Sequence, residues 1–260
     1  MEGLFLLFSL YIMSKPLSKY TDKECYELYL EMIENSNTKW NSARALARRK
    51  DYGSAISMHI ISMEEMVKGF IMFIDSRGFE LRTIDGMDKI ISKNHVLRHF
   101  VGFAMFVISI FLRDLGNLFM VYKNNPQLLY SMKDRDSEAW NSLKWYTLRK
   151  CVLIRNEFRW FSKIEQYRQD GYHVDYRTSS KPTELKEIEY TKLYIRLKDV
   201  RNTTKEFIKI YSSDDKGSIQ EIQKNFKEEK LYENLAKSLS KITKERQNPF
   251  DMFEKEFFSK

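Results

Sequence analysis

Glycine and proline are scarce, 9 and 4 in 260 residues. Few turn-forming residues mean few turns, which argues against a sandwich or barrel of many short strands and for long helices. Cysteine is nearly missing: Cys25 and Cys151 stand alone, with no CxxC and no Cys/His ligand spacing. That argues against a disulfide framework and a structural zinc site, and fits a reduced compartment, so the cytoplasm is the expected location. HExxH is absent, and no helix carries the E-x-x-H pattern of di-iron bundles; no metal and no cofactor are therefore expected. No apolar run is long enough to span a bilayer. The two longest, Gly3–Met13 and Phe100–Leu112, stop well short. The first follows Glu2 rather than a basic residue, and Ser14-Lys15-Pro16 offers no signal cleavage site. It reads as an N-terminal extension packed on the body, or as sequence upstream of an alternative start at Met13; no membrane partner is expected.

What is present is ordinary globular material, with 43% hydrophobic and 31% charged residues. The net charge of +8 and pI of about 9.2 favour an anionic partner without choosing among nucleic acid, acidic protein and membrane surface. Thr21-Asp22-Lys23-Glu24 has capping-box spacing and opens a helix to about residue 49. Further helices are predicted over about 52–75, 92–122, 137–168, 182–211 and 218–246. Lys50-Asp51-Tyr52-Gly53 reads as a tight turn, residues 76–88 as a loop, and residues 171–176 as extended. The fold class is all-α: an up-down bundle of long helices, divided into an N-terminal extension (1–20), a helical domain (21–212) and a C-terminal helical appendage (213–260). The appendage follows a polar linker and is expected to be separable from a folded core.

Three polar clusters are candidates for chemistry. Glu64, Glu65 and Lys68 interrupt an otherwise apolar helix. Glu64 and Lys68 are four apart and can pair, either as a structural ion pair or as part of a polar patch that orients a site. His95, Arg98 and His99 share one face at the start of the next helix, suited to capping and packing or to an anion and acid–base role. Arg168 precedes His173 by an R-x4-H spacing, with Gly171 placed to end the helix and let His173 fold back. An imidazole moves protons near neutral pH and a guanidinium holds phosphate in bidentate fashion. A similar start at Arg155 fails because Trp160 stands where a histidine is needed.

These pieces, in this order, resemble the AbiV family of abortive-infection proteins. Asn41-Ser42-Ala43 with Leu46, then Asp51-Tyr52-Gly53-Ser54-Ala55, and Glu64-Glu65 with Lys68, look like its NA-x-x-L, small-residue turn and EE-x-x-K elements. His95-Val96-Leu97-Arg98 looks like its H-x-x-K, with Arg98 for lysine. Arg168 with Gly171-Tyr172-His173-Val174-Asp175-Tyr176 looks like its R-x-x-G-L-Y-V-D-Y, with His173 where the family has tyrosine. The similarity spans about residues 26–210. It implies a HEPN-like bundle, commonly a homodimer. It also implies an anti-phage effector that stops translation in infected cells, through metal-independent ribonuclease chemistry.

On that reading Arg168, His95, His173, Glu64, Glu65 and Lys68 are the catalytic candidates, and Arg98 and His99 the RNA- and phosphate-binding ones. The partners would be a second copy, an RNA substrate and a phage-encoded activator protein. The alternative is a non-catalytic helical protein that binds a phage protein or the translation machinery.

Overall fold

The structure, a computed structural model, describes residues 15–124, 138–170, 185–212, 220–221, 223–224, 231–244 and 247–257. Among these residues there is no strand, and the α-helices are α1 (Asp22–Arg48), α2 (Tyr52–Ile74), α3 (Met87–Ser92), α4 (His95–Asn124), α5 (Glu138–Phe161), α6 (Ile164–Asp170), α7 (Glu187–Ser212), α8 (Leu231–Lys244) and α9 (Pro249–Phe257).

Local chemistry sets the first two helices. The backbone N–H of Glu24 donates to Thr21 Oγ1 at 3.2 Å, and that of Thr21 donates to the Glu24 carboxylate at 2.7 Å, which closes the capping box. The turn after α1 needs a left-handed residue, and Lys50 supplies it at φ 64°. The Asp51 carboxylate then accepts from the Ser54 N–H at 3.2 Å and caps α2. The two helices approach closely at Gly69, where a Cβ would lie 3.0 Å from Ile33 Cδ1.

α2 is the central helix. It packs against α1, α4, α6 and α7, so it is apolar nearly all round, as a buried helix must be. Its Ile56, Ile60 and Met63 join Phe103 and Ile110 of α4, Phe161 of α5 and Leu197 of α7 in the main core. A second core beside it gathers Cys25, Val67, Met72, Met87 and Leu97.

Residues 76–88 are more ordered than a plain loop: a π-helical turn (Asp75–Phe79) and a 3-10 turn (Leu81–Thr83) are tied by an Arg82–Asp75 ion pair of 3.0 Å. The Cys25 thiol donates to Asp75 at 3.2 Å, and burial with that carboxylate pushes it up to about 12, so it is an inert core group.

The predicted 92–122 helix is α4, which starts at His95 because the Asn94 side chain accepts from the Leu97 N–H at 2.9 Å and caps it; the short α3 precedes it. One long predicted helix is broken. The 137–168 helix divides at Ser162-Lys163, where the chain turns so that Ile164 enters the core. No described helix is long and apolar enough to cross a membrane. The predicted extended segment at 171–176 lies outside the described residues.

The C-terminal helices are integrated with the bundle. Phe250 of α9 sits in the main core, with its ring centroid 5.4 Å from that of Phe100 and 5.5 Å from that of Phe158. Leu239 and Ile242 of α8 belong to the second core. This packing argues against a separable appendage: cutting the chain after Asp215 would uncover aromatic core surface on α4 and α5.

Candidate active site

The centre of the site is one carboxylate. Glu64 projects from the middle of α2 and is only 3% exposed. An unpaired charge at that depth costs several kcal/mol, so it requires partners. α4 supplies them at successive helical positions, because residues 95, 98 and 99 face the same way. His95 Nδ1 donates to Glu64 Oε2 at 2.6 Å, and Arg98 donates to the same oxygen from Nε at 3.2 Å and Nη2 at 3.1 Å. His99 Nε2 donates to Oε1 at 2.9 Å. Arg168 of α6 adds an ion pair, its Nε 3.6 Å from Oε1.

α6 is held against α2 by the Ser57 hydroxyl, which donates to the Tyr167 carbonyl at 3.1 Å one residue before Arg168. Burial alone pushes the Glu64 carboxyl up. The hydrogen bonds from His95 and His99 and the charges of His99 and Arg98 outweigh it and hold the group well below the usual carboxylate range.

That ionised carboxylate fixes the state of His95. An unprotonated Nδ1 would oppose its lone pair to Oε2 at 2.6 Å, so the proton is on Nδ1. The 2.7 Å approach of Arg98 Nη2 to Nδ1 is then two donors crowded on one oxygen. The second ring nitrogen, Nε2, is the one left for solvent and ligands. The His95 side chain is 41% exposed and lines a cleft of about 590 Å³ between α3, α6 and the start of α9.

The sequence candidates therefore separate. Glu64, His95 and Arg168 converge. Arg98 and His99 converge too, but at 3% and 1% exposure no phosphate reaches them. Arg98 Nη1 is further tied to the Ile90 carbonyl at 2.9 Å, so both residues hold Glu64 instead of binding RNA. Glu65 and Lys68 pair with each other at 2.7 Å, and the anticipated Glu64–Lys68 pair does not form. The reason is that α4 offers Glu64 three donors, which turns it inward. His173 lies outside the described residues.

Sequence reasoning missed Glu165. Its carboxylate accepts from Arg168 Nε at 2.9 Å and from Arg168 Nη2 at 2.5 Å. An i,i+3 Glu–Arg pair is readable in a helix, but its approach to α2 and α4 is not. Burial raises the Glu165 carboxyl, and the hydrogen bonds from Arg168 and Gln169 more than reverse that.

Glu64, His95 and Glu165 each place a ligand-type atom within 4.8 Å of the others, a donor set for a cation that spacing along the chain did not reveal. Both oxygens of Glu64 are already occupied by four cationic or N–H-donating side chains, so a metal ion would have to displace them against their charge.

The pattern of the AbiV family of HEPN proteins matches residues 24–203, more than half of the chain. The protein belongs to the AbiV family. The match takes in α1 and α2, the α4 cluster, Arg168 and most of α7, and it stops before α8 and α9. Membership carries an abortive-infection, HEPN-type function for the AbiV chain. Comparison with curated proteins and with solved structures gives no match.

Proposed function

We propose that the protein is an abortive-infection effector that cleaves RNA without a metal, using His95 for proton transfer and Arg168 for phosphate charge. The observation that carries this is the 2.6 Å bond from Nδ1 of the cleft-lining His95 to the buried Glu64 carboxylate, which leaves Nε2 as the nitrogen for proton transfer. A carboxylate that holds an imidazole by one nitrogen fixes its orientation and tautomer for proton transfer at the other.

The reaction needs three groups. A base takes the proton of the 2′-hydroxyl as its oxygen attacks the adjacent phosphorus. The P–O5′ bond breaks, leaving a 2′,3′-cyclic phosphate. An acid protonates the departing 5′ oxygen. His95 is positioned for one proton transfer. Arg168, about one-fifth exposed, offers charge to the phosphate's non-bridging oxygens once it turns from Glu165. Glu64 positions both, and Arg98 and His99 keep Glu64 ionised. The net charge of +8 draws the polyanion.

A second reading has an observation of its own: the Glu64–His95–Glu165 donor set suits a divalent cation. One experiment separates the two. Purified protein, with phage lysate added if activation is needed, is incubated with RNA in excess EDTA. Cleavage that persists, leaves 2′,3′-cyclic phosphate ends and falls at least about 100-fold in Arg168→Ala supports the proposal. Activity that vanishes in EDTA and returns with a divalent metal overturns it.

A further inference from the structure

The cleft at His95 has a wall that the family pattern does not include. Ile242 at the end of α8 and Gln247, Asn248 and Pro249 at the start of α9 line it, together with Asp88, Lys89, Lys93 and Glu165. These residues lie 39 or more positions beyond residue 203, where the match ends. We infer that this C-terminal wall belongs to the substrate site and takes the base of a nucleotide flanking the scissile phosphate, with Lys89 and Lys93 on the neighbouring phosphate. The inference rests on the ribonuclease reading and adds a specificity element to it.

Three features support it. The first is size: about 590 Å³ lies within the range of small-ligand sites and suits one nucleotide. The second is the distribution of chemistry. Lys89 and Lys93 are exposed cations on α3 and the turn after it, with the carboxylates of Asp88 and Glu165 also in the lining, while buried Ile242 and Pro249 present apolar edges and exposed Gln247 a polar side chain. Phosphate asks for the first, a base face for the second, and a base edge for the third. The third is rigidity. Asn248 Oδ1 accepts from the Phe250 N–H at 3.0 Å at the start of α9, and Phe250 itself is 2% exposed in the main core. A wall anchored on both sides, by Ile242 in one core and Phe250 in the other, holds a ligand more precisely than a loose tail.

The test measures binding apart from cleavage. Fluorescein-labelled 12-nucleotide 2′-O-methyl RNAs, one for each base, resist 2′-hydroxyl attack, and their affinity for the full-length protein is read by anisotropy against salt. The probed residues Lys89, Lys93 and Gln247 are all exposed, so their variants should fold, with circular dichroism as the check. Lys89→Ala and Lys93→Ala should each weaken all four probes alike and lower the salt slope by about one. Gln247→Ala should weaken the preferred base by about tenfold and flatten the ranking among the four.

Affinity and ranking unchanged in all three variants would overturn the inference, while cleavage lost in His95→Ala would leave the ribonuclease reading standing. Base-dependent binding that fails in Gln247→Ala, in a protein that never cleaves RNA, would uphold the wall and overturn the ribonuclease reading. A wild-type protein that binds none of the probes overturns both.

Discussion

Two buried polar clusters flank α2, and they differ in the sign of the buried charge and in their access to solvent. In the first, Glu64 is an anion surrounded by His95, Arg98, His99 and Arg168. In the second, Arg201 of α7 is a cation, 5% exposed, with no carboxylate on it among the described residues. Its guanidinium donates to Ser36 Oγ at 2.8 Å, to Ser62 Oγ at 3.3 Å and to the Asn37 side chain, and it lies 4.9 Å from the Trp40 ring. Burial brings it down to about 10, so it stays charged at neutral pH. His59 nearby is fully buried, with Nε2 3.2 Å from the Tyr190 hydroxyl. Both clusters bury charge and hold a histidine. Among the described residues, the first opens to a cleft through His95, whereas His59 and Arg201 are buried. Buried charge by itself marks stability; buried charge that orients an exposed proton-transfer group marks a site.

The comparison can be broken most severely at Glu64. Replacing it with alanine strands Arg98 and His99, both almost fully buried, and should cost about 3–5 kcal/mol in urea denaturation. Phe250→Ala should cost a comparable 3–4 kcal/mol or so, from the cavity left between Phe100 and Phe158. A loss below about 1 kcal/mol there would restore the separable appendage. Arg201→Met should cost less than about 2 kcal/mol, since Ser36 and Ser62 remain bonded to each other and no opposite charge is left behind. A penalty as large as that of Glu64→Ala would erase the distinction between the clusters.

Acid sharpens the comparison. Burial, then the charges of Arg201 and Arg44, lower His59 from 6.5 to about 3. The unfolded chain therefore takes up a proton between those values that the folded protein refuses, and stability falls as pH drops below about 6.5. Between pH 6.5 and pH 5 this amounts to about 2 kcal/mol. The depressed carboxyl of Glu64 also loses stability on acidification, but only below about pH 4.3, where the unfolded glutamate titrates. Denaturation curves of His59→Leu should be flat over the upper window and keep the lower one.

The smallest effect concerns assembly. Ile108, Phe111, Leu148, Val152 and Ile195 are exposed apolar residues on α4, α5 and α7, and we propose that a second copy covers them. Light scattering should show a dimer at micromolar concentration, and Val152→Glu should shift it to the 31.3 kDa monomer without changing the melting temperature by more than a degree or two.

Much of the scaffold was legible, because capping and periodicity act within a few residues. Thr21, Glu24 and Asp51 do locally what their types dictate. The exact start of α4 was harder, since Asn94 reads as an ordinary helix residue until its side chain caps α4. For the site, the spacing of residues 95, 98 and 99 showed that they share a face. It did not show that the face meets Glu64 rather than Glu65, because adjacent carboxylates are told apart only by which neighbouring helix lies over them. Glu165 and the wall at 247–249 were illegible for the same reason: they reach His95 through packing between helices far apart in the chain.

The central claim is that opening, not burial, separates the two clusters, and the two histidines test it directly. RNA cleavage in excess EDTA is timed for the wild type, His95→Ala and His59→Gln, at a temperature where all three are folded. The account predicts a loss of about 100-fold or more for His95→Ala and a rate near wild type for His59→Gln. Equal rates for His95→Ala and the wild type, or an equal loss in both variants, would contradict it.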